Sequence, residues 1–187
     1  MPTAAAERDF AAKHLAESRD RLMALVRRLS PTQMAYRPEP GRWSIAENLE
    51  HVILVEYRGR GFVEIALRQA PDPARHSGYP GSPESLVAML RDRTHPRRSV
   101  EQLQPTGRWP HNQLLKEFEA ARKRTCELLA ATTLDLHAHF SPHPIFGDLS
   151  CLQWFLVLAA HCDRHRAQSE EVTASEDFPR AAAAVSE

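Results

Sequence analysis

Three histidines carry most of the chemistry this sequence can offer. In His161-Cys162-Asp163-Arg164-His165 the two imidazoles are four residues apart, so on a helix they stand one above the other and can ligate one metal ion. The spacing alone is weak, since 10 histidines in 187 residues give roughly half such a pair by chance. His139 and His143 share it, but Pro142 between them implies a loop, where helical stacking does not apply. His161 and His165 instead lie on the stripe Trp154, Leu158, His161, His165, which a bundle helix turns inward. There an imidazole needs a partner, and a metal or a hydrogen-bonding neighbour would each supply one. His51, on the stripe Ser44, Glu47, His51, Val55, Phe62 of another helix, would complete a set of three. Three neutral imidazoles leave coordination positions open and the ion's charge intact, the pattern of a site that activates water or a thiol. Glu47 and Gln168, each one turn from a ligand, are candidates to orient it. Glu47 also fits a capping role and is a candidate general base; so is Asp163, although it lies about 200° round the helix from His161, toward solvent.

Two rival metal motifs fail on residue identity. A metalloprotease helix needs His-Glu-x-x-His, and Cys162 stands where the glutamate belongs. A di-iron bundle needs Glu three residues before inward histidines, and those positions hold Asn48 and Leu158. The segment Gly59-Arg60-Gly61 lacks the third glycine of a dinucleotide loop and sits inside a helical pattern. Cys162 reads as a core or surface thiol, His143 as packing or capping, and Trp43 and Trp154 as core aromatics at helix starts or walls of a substrate site. The run Arg91, Arg93, Arg97, Arg98 reads as a solvated surface, with an anion site as the sharper alternative.

Four helices must position these groups. The first spans about Ala4 to Leu29 on the stripe Leu15, Ser18, Leu22, Leu25, Leu29, and Ser30-Pro31 ends it. Ser44-Ile45-Ala46-Glu47 is a capping box opening a helix to about Gln69, and Ser150-Cys151-Leu152-Gln153 opens another to about Val172. A third main helix covers about Asn112 to Ala131 on the stripe Leu115, Phe118, Arg122, Thr125, Leu129. Between residues 70 and 110 stand seven of the 14 prolines, a long crossover with one short helix opened by Ser82-Pro83-Glu84. There is no convincing strand. The expected fold is all-α, a four-helix bundle with an up-up-down-down order, or an up-down bundle with a lid inserted. One domain over about residues 8–173 is expected, with flexible tails at 1–7 and 174–187, frayed at Ala181 to Ala184.

Composition narrows the partners. Lys plus Arg and Asp plus Glu are 24 each, so no net charge draws the whole chain to nucleic acid or an anionic membrane. The three cysteines lack Cys-x-x-Cys spacing, which suits free thiols in a reducing compartment. No signal peptide or membrane-length apolar run is present, and a cytoplasmic location is expected.

The sequence resembles the DinB/YfiT-like superfamily of metal-binding four-helix bundles. The resemblance rests on Arg42-Trp43-Ser44-Ile45-Ala46-Glu47-Asn48-Leu49-Glu50-His51, on His143-Pro144-Ile145-Phe146-Gly147, and on Gln153-Trp154 with His161-x-x-x-His165-x-x-Gln168. It implies an up-up-down-down bundle with one divalent metal held by His51, His161 and His165. Superfamily members include hydrolase-like proteins and transferases or isomerases that use thiols such as bacillithiol and mycothiol; the superfamily name does not imply DNA binding. The resulting expectation is a metal-dependent hydrolase or thiol S-transferase with zinc or nickel, a small-molecule substrate and, for transfer, a low-molecular-weight thiol co-substrate. Neither nucleic acid nor membrane is an expected partner, and a homodimer is allowed. The rival expectation is a non-catalytic, metal-stabilised binding or dimerisation module.

Overall fold

Three of the four long helices begin where the sequence offers a side-chain cap. The computed structural model describes residues 3–94 and 99–180. In it Thr3 caps α1 (Ala4–Val26), Ser44 caps α3 (Ile45–Ala66) and Ser150 caps α6 (Cys151–Thr173). Both expected capping boxes are complete: Ser44 accepts the Glu47 amide while the Glu47 carboxylate accepts the Ser44 amide, and Ser150 and Gln153 do the same. Each box satisfies two helix-end N–H groups that water would otherwise have to reach. The crossover helix α4 (Pro83–Arg91) starts at Ser82 with proline in its first turn, and α5 (His111–Ala131) follows Pro110.

The four long helices α1, α3, α5 and α6 form the bundle, with α6 and α5 each packed against both α1 and α3. Their directions correct the expected up-up-down-down order. Arg8 donates to the Leu129 and Thr132 carbonyls and Arg27 pairs with Glu119, so α1 and α5 run antiparallel. Cys162 reaches the Ser18 carbonyl and Asp163 pairs with Arg21, while Ala11 and Leu15 lie in the cluster of Trp154 and Phe155, so α1 and α6 run parallel. His51 meets His161 near the start of α3, and Phe62 meets Trp154 near its end, so α3 opposes α6. The order is up-down-down-up. The reason is connection length: only residues 67–110 form a long crossover, joining α3 to the parallel α5, whereas up-up-down-down needs two such crossovers.

Several short elements escaped the sequence. Ser30-Pro31 does not end a helix; α1 stops at Val26, and Ser30 opens α2 (Pro31–Ala35) with a third capping box on Gln33. Strands β1 (Phe140–His143) and β2 (Gly147–Ser150) form an antiparallel hairpin with His143 opposite Gly147, whose φ of 70° suits the turn. Four residues per strand give only two alternations, too few for a periodic signal. Gly59 serves packing, since a Cβ there would lie 2.7 Å from Leu158 Cδ2, so it lets α3 and α6 approach closely. On α5 the core position falls to Leu114, not Leu115, and Arg122 is wholly buried. Residues 4–7 are helical, and Phe178 packs edge-on against Tyr36, so parts of both expected tails belong to the folded body. Ala181 to Ala184 lie outside the described residues. Among the described residues no helix is long and apolar enough to cross a membrane.

Candidate metal centre

Helices α3 and α6 bring the three histidines together. His51 Nε2 lies 3.2 Å from His161 Nε2, which lies 3.1 Å from His165 Nε2, and the three donor atoms all fall within 4.8 Å of one another. His51 and His165 are buried and His161 half-buried. The i, i+4 spacing stacks the α6 pair, and the antiparallel crossing sets the first turns of α3 beside the later half of α6.

The remote ring nitrogens decide the protonation. His51 Nδ1 is 2.7 Å from the Leu103 carbonyl, which can only accept, so Nδ1 carries the proton and Nε2 a lone pair. His165 Nδ1 is 3.0 Å from Asn48 Oδ1, and the Asn48 amide is held the right way round because its Nδ2 donates to the Ser44 carbonyl. His165 Nε2 therefore also presents a lone pair. A proton on His161 Nε2 would satisfy one of these neighbours and leave the other unmet, whereas a divalent ion satisfies all three. The spacing agrees: two nitrogens at 2.0–2.1 Å from a tetrahedral zinc stand about 3.3 Å apart. Burial pushes all three imidazoles below the usual histidine value; nearby imidazoles add to the effect at His161 and His165, while the Leu103 bond opposes it at His51. All three are thus held neutral, as ligation requires.

The surroundings hold the imidazoles in place. Glu50, one residue before His51 and almost wholly buried, accepts the Thr106 and Gly107 amides at 2.9 and 2.8 Å and pairs with Arg108. This ties down the crossover whose Leu103 carbonyl orients His51. Trp43 lies over the site, its ring 4.9 Å from His51 and 6.1 Å from His165 between centroids. Gln168 borders the same cavity, and its Oε1 is buried with no hydrogen-bond partner among the described residues. Such an acceptor suits a donor on a ligand or a bound water.

Other expected roles fall elsewhere. The Glu47 carboxylate is taken by the Ser44 amide and by Arg37, which, against partial burial, hold it below the usual carboxylate range; it caps α3 and is absent from the three-residue cluster. Asp163 does not face solvent: it is buried between Arg21 and Arg91, because α4 covers that side of α6. Cys162 is a core thiol whose burial pushes it up to about 11, unsuited to act as a thiolate nucleophile near neutral pH. His143 belongs to β1, not a loop, and packs on Phe146 and Trp154. Arg93 lines the cavity, and Arg97 and Arg98 lie outside the described residues.

The site opens into a cavity of about 1030 Å³ between α3 and α6, closed by residues 99–104 of the crossover and by the hairpin. Its apolar wall includes Val55, Phe62, Trp154 and Val157.

The sequence model of the DinB superfamily matches residues 14–169. The chain belongs to this superfamily. Among curated proteins, YuaE, an uncharacterized protein of Bacillus subtilis (strain 168), is 23% identical over 145 residues, 77% of this chain and 85% of its own. Among solved structures, YfiT from Bacillus subtilis superimposes with a TM-score of 0.63 at 14% identity, over 92% of this chain and 89% of YfiT. YfiT is described as a probable metal-dependent hydrolase with an unusual four-helix bundle topology. TT2238, a four-helix bundle protein, gives 0.52 at 23% identity, over 88% of this chain and 98% of TT2238. The family model establishes the family and the solved structures the fold; the chemistry rests on the site itself.

Proposed function

We propose that this DinB-superfamily chain is a metal-dependent enzyme, a hydrolase acting on a small molecule, with zinc or nickel held by His51, His161 and His165. The observation that carries the reading is the convergence of three imidazole donor atoms in the wall of a large cavity, with two remote nitrogens already bonded. A divalent ion bound there would acidify a water or thiol ligand and supply a nucleophile near neutral pH. The chain's own groups do the rest. Leu103 and Asn48 fix the tautomers of His51 and His165, Trp43 shields the imidazoles, and Gln168 Oε1 offers an acceptor to orient a ligand's proton. No Asp or Glu lines the cavity among the described residues, so the proton released has water or substrate as its acceptor rather than a protein carboxylate. The description of YfiT as a probable metal-dependent hydrolase supports the same reading.

Metal analysis by inductively coupled plasma mass spectrometry on untagged protein, beside His51→Ala and His161→Ala, is the test. The expected result is about one metal per chain, lost in both variants. The loaded protein is then assayed on a panel of esters and amides, with and without an added low-molecular-weight thiol. Metal-dependent turnover without thiol supports hydrolysis, and turnover only with thiol replaces it by thiol transfer. No metal after reconstitution would overturn the proposal and leave a binding module.

A further inference from the structure

The cavity is electrically one-sided. Arg42, Arg58, Arg93 and Arg164 line it, and among the described residues no carboxylate does. Arg42 pairs with Glu39 and Glu171 and Arg93 with Glu171, so these two charges are offset by carboxylates that do not line the cavity. Arg164 donates to the Leu90 and Asp92 carbonyls. Arg58 is exposed, its guanidinium 5.4 Å above the Phe62 ring, and no carboxylate pairs with it among the described residues. A cleft lined by one sign of charge, with low-dielectric walls, concentrates ligands of the opposite sign.

Arg58 also has a defined place relative to the histidines. It follows His51 by seven residues on α3, which returns it to the same face about 10 Å along the helix axis. Val55 and Phe62 lie on that stripe, and Val157 and Trp154 face it from α6. A ligand filling this length meets imidazole donors at one end, apolar side chains along its middle and a guanidinium fork farther down the helix.

We propose that the cavity takes a small anionic substrate with an apolar body, its carboxylate held by Arg58 and its reacting bond placed at the three histidines. The placement of the reacting bond rests on the metal-dependent reading; the anion site stands on the arginine geometry alone. A planar guanidinium matches a carboxylate through two parallel hydrogen bonds, and Phe62 beneath it holds the fork in plane.

The test measures binding, not turnover. Phenylbutyrate, phenylbutanol and phenylbutylamine share one apolar body and differ in charge. Their affinities for the full-length protein are measured by calorimetry, with metal chelated and again with zinc loaded, for the wild type, Arg58→Gln and the distant surface control Arg28→Gln. In the chelated wild type and in Arg28→Gln, phenylbutyrate is expected to bind about tenfold tighter than phenylbutanol, with phenylbutylamine weakest. Arg58→Gln is expected to bring phenylbutyrate to the level of phenylbutanol and leave phenylbutanol unchanged. Equal binding of acid and alcohol to the wild type overturns the proposal. So does a preference that survives Arg58→Gln, one that appears only with zinc and so reports the metal, or failure of all three probes to bind. Loss of metal binding with the carboxylate preference intact would sink the enzymatic reading and leave the anion site standing.

Discussion

Two buried polar clusters lie within the same bundle, and they are built on opposite rules. Around Arg122 every demand is met: its guanidinium makes two bonds of 2.9 Å to Glu56 and others to Ser18 and to the Leu15 and Leu158 carbonyls, tying α5 to α1, α3 and α6. Positive meets negative, donors meet acceptors, and no position is left for a ligand. At the histidines the outer nitrogens of His51 and His165 are bonded, while the inner ones converge with that of His161. The first cluster is closed and structural; the second turns the lone pairs of His51 and His165 toward one another. Burial is common to both, so it does not by itself mark function. What separates them is whether the buried polar groups satisfy each other.

The contrast is broken most severely by Arg122→Ala, which strands Glu56 as an uncompensated buried charge. The expected cost is roughly 3–5 kcal/mol, or about 10 °C in Tm, read by thermal unfolding, with the metal content of the remaining folded protein unchanged. His161→Ala should do the reverse, abolishing metal uptake while the Tm of the chelated protein barely moves. If the two variants lose stability and metal in parallel, the clusters are not separate.

Acid acts next, on the histidines. Their native pKa values are depressed by burial, so below the unfolded value of about 6.5 the unfolded chain binds protons that the native imidazoles resist. The chelated protein is therefore expected to be unaffected by these groups above that pH. It should lose stability as pH falls below it, until the lowered native values are reached. Urea midpoints between about pH 7.5 and 5 check this, with a shallower slope expected in His161→Ala; an identical slope in the variant would show that the site does not titrate as described.

The smallest expected effect sharpens the contrast instead of breaking it. Glu50→Gln loosens the clamp on residues 106–107 and so the carbonyl that orients His51, and metal affinity should weaken by about tenfold, measured by competition with a chelating dye. Arg122→Ala leaves that affinity intact in the folded fraction. An unaltered affinity in Glu50→Gln would mean that Leu103 holds its place without the clamp.

Much of this arrangement was legible in the residues because its signals are local. The boxes at Ser44 and Ser150 place the starts of α3 and α6 to the residue, and the spacing of His161 and His165 then fixes a shared face. Non-local features were harder to read. Leu103 serves the site through its backbone carbonyl, to which its side-chain identity gives no clue, and Asn48 acquires its role only when α6 arrives across the bundle. Glu56 and Arg122 look like ordinary charged residues of two helices until the packing joins them. Asp163 was assigned to solvent by helical rotation alone, which takes no account of α4 lying over that side. The order of the helices followed the same pattern: counting elements does not determine direction, whereas counting long crossovers does.

The position of Trp43 over the histidines has an optical consequence. An indole whose ring centre is 4.9 Å from one imidazole and 6.1 Å from another sits within collisional range of whatever those rings bind. A paramagnetic ion such as nickel or copper would quench its emission, and closed-shell zinc would not. On the proposed metal-dependent reading, Trp43 is a built-in fluorophore for following metal arrival and exchange, without a dye or label.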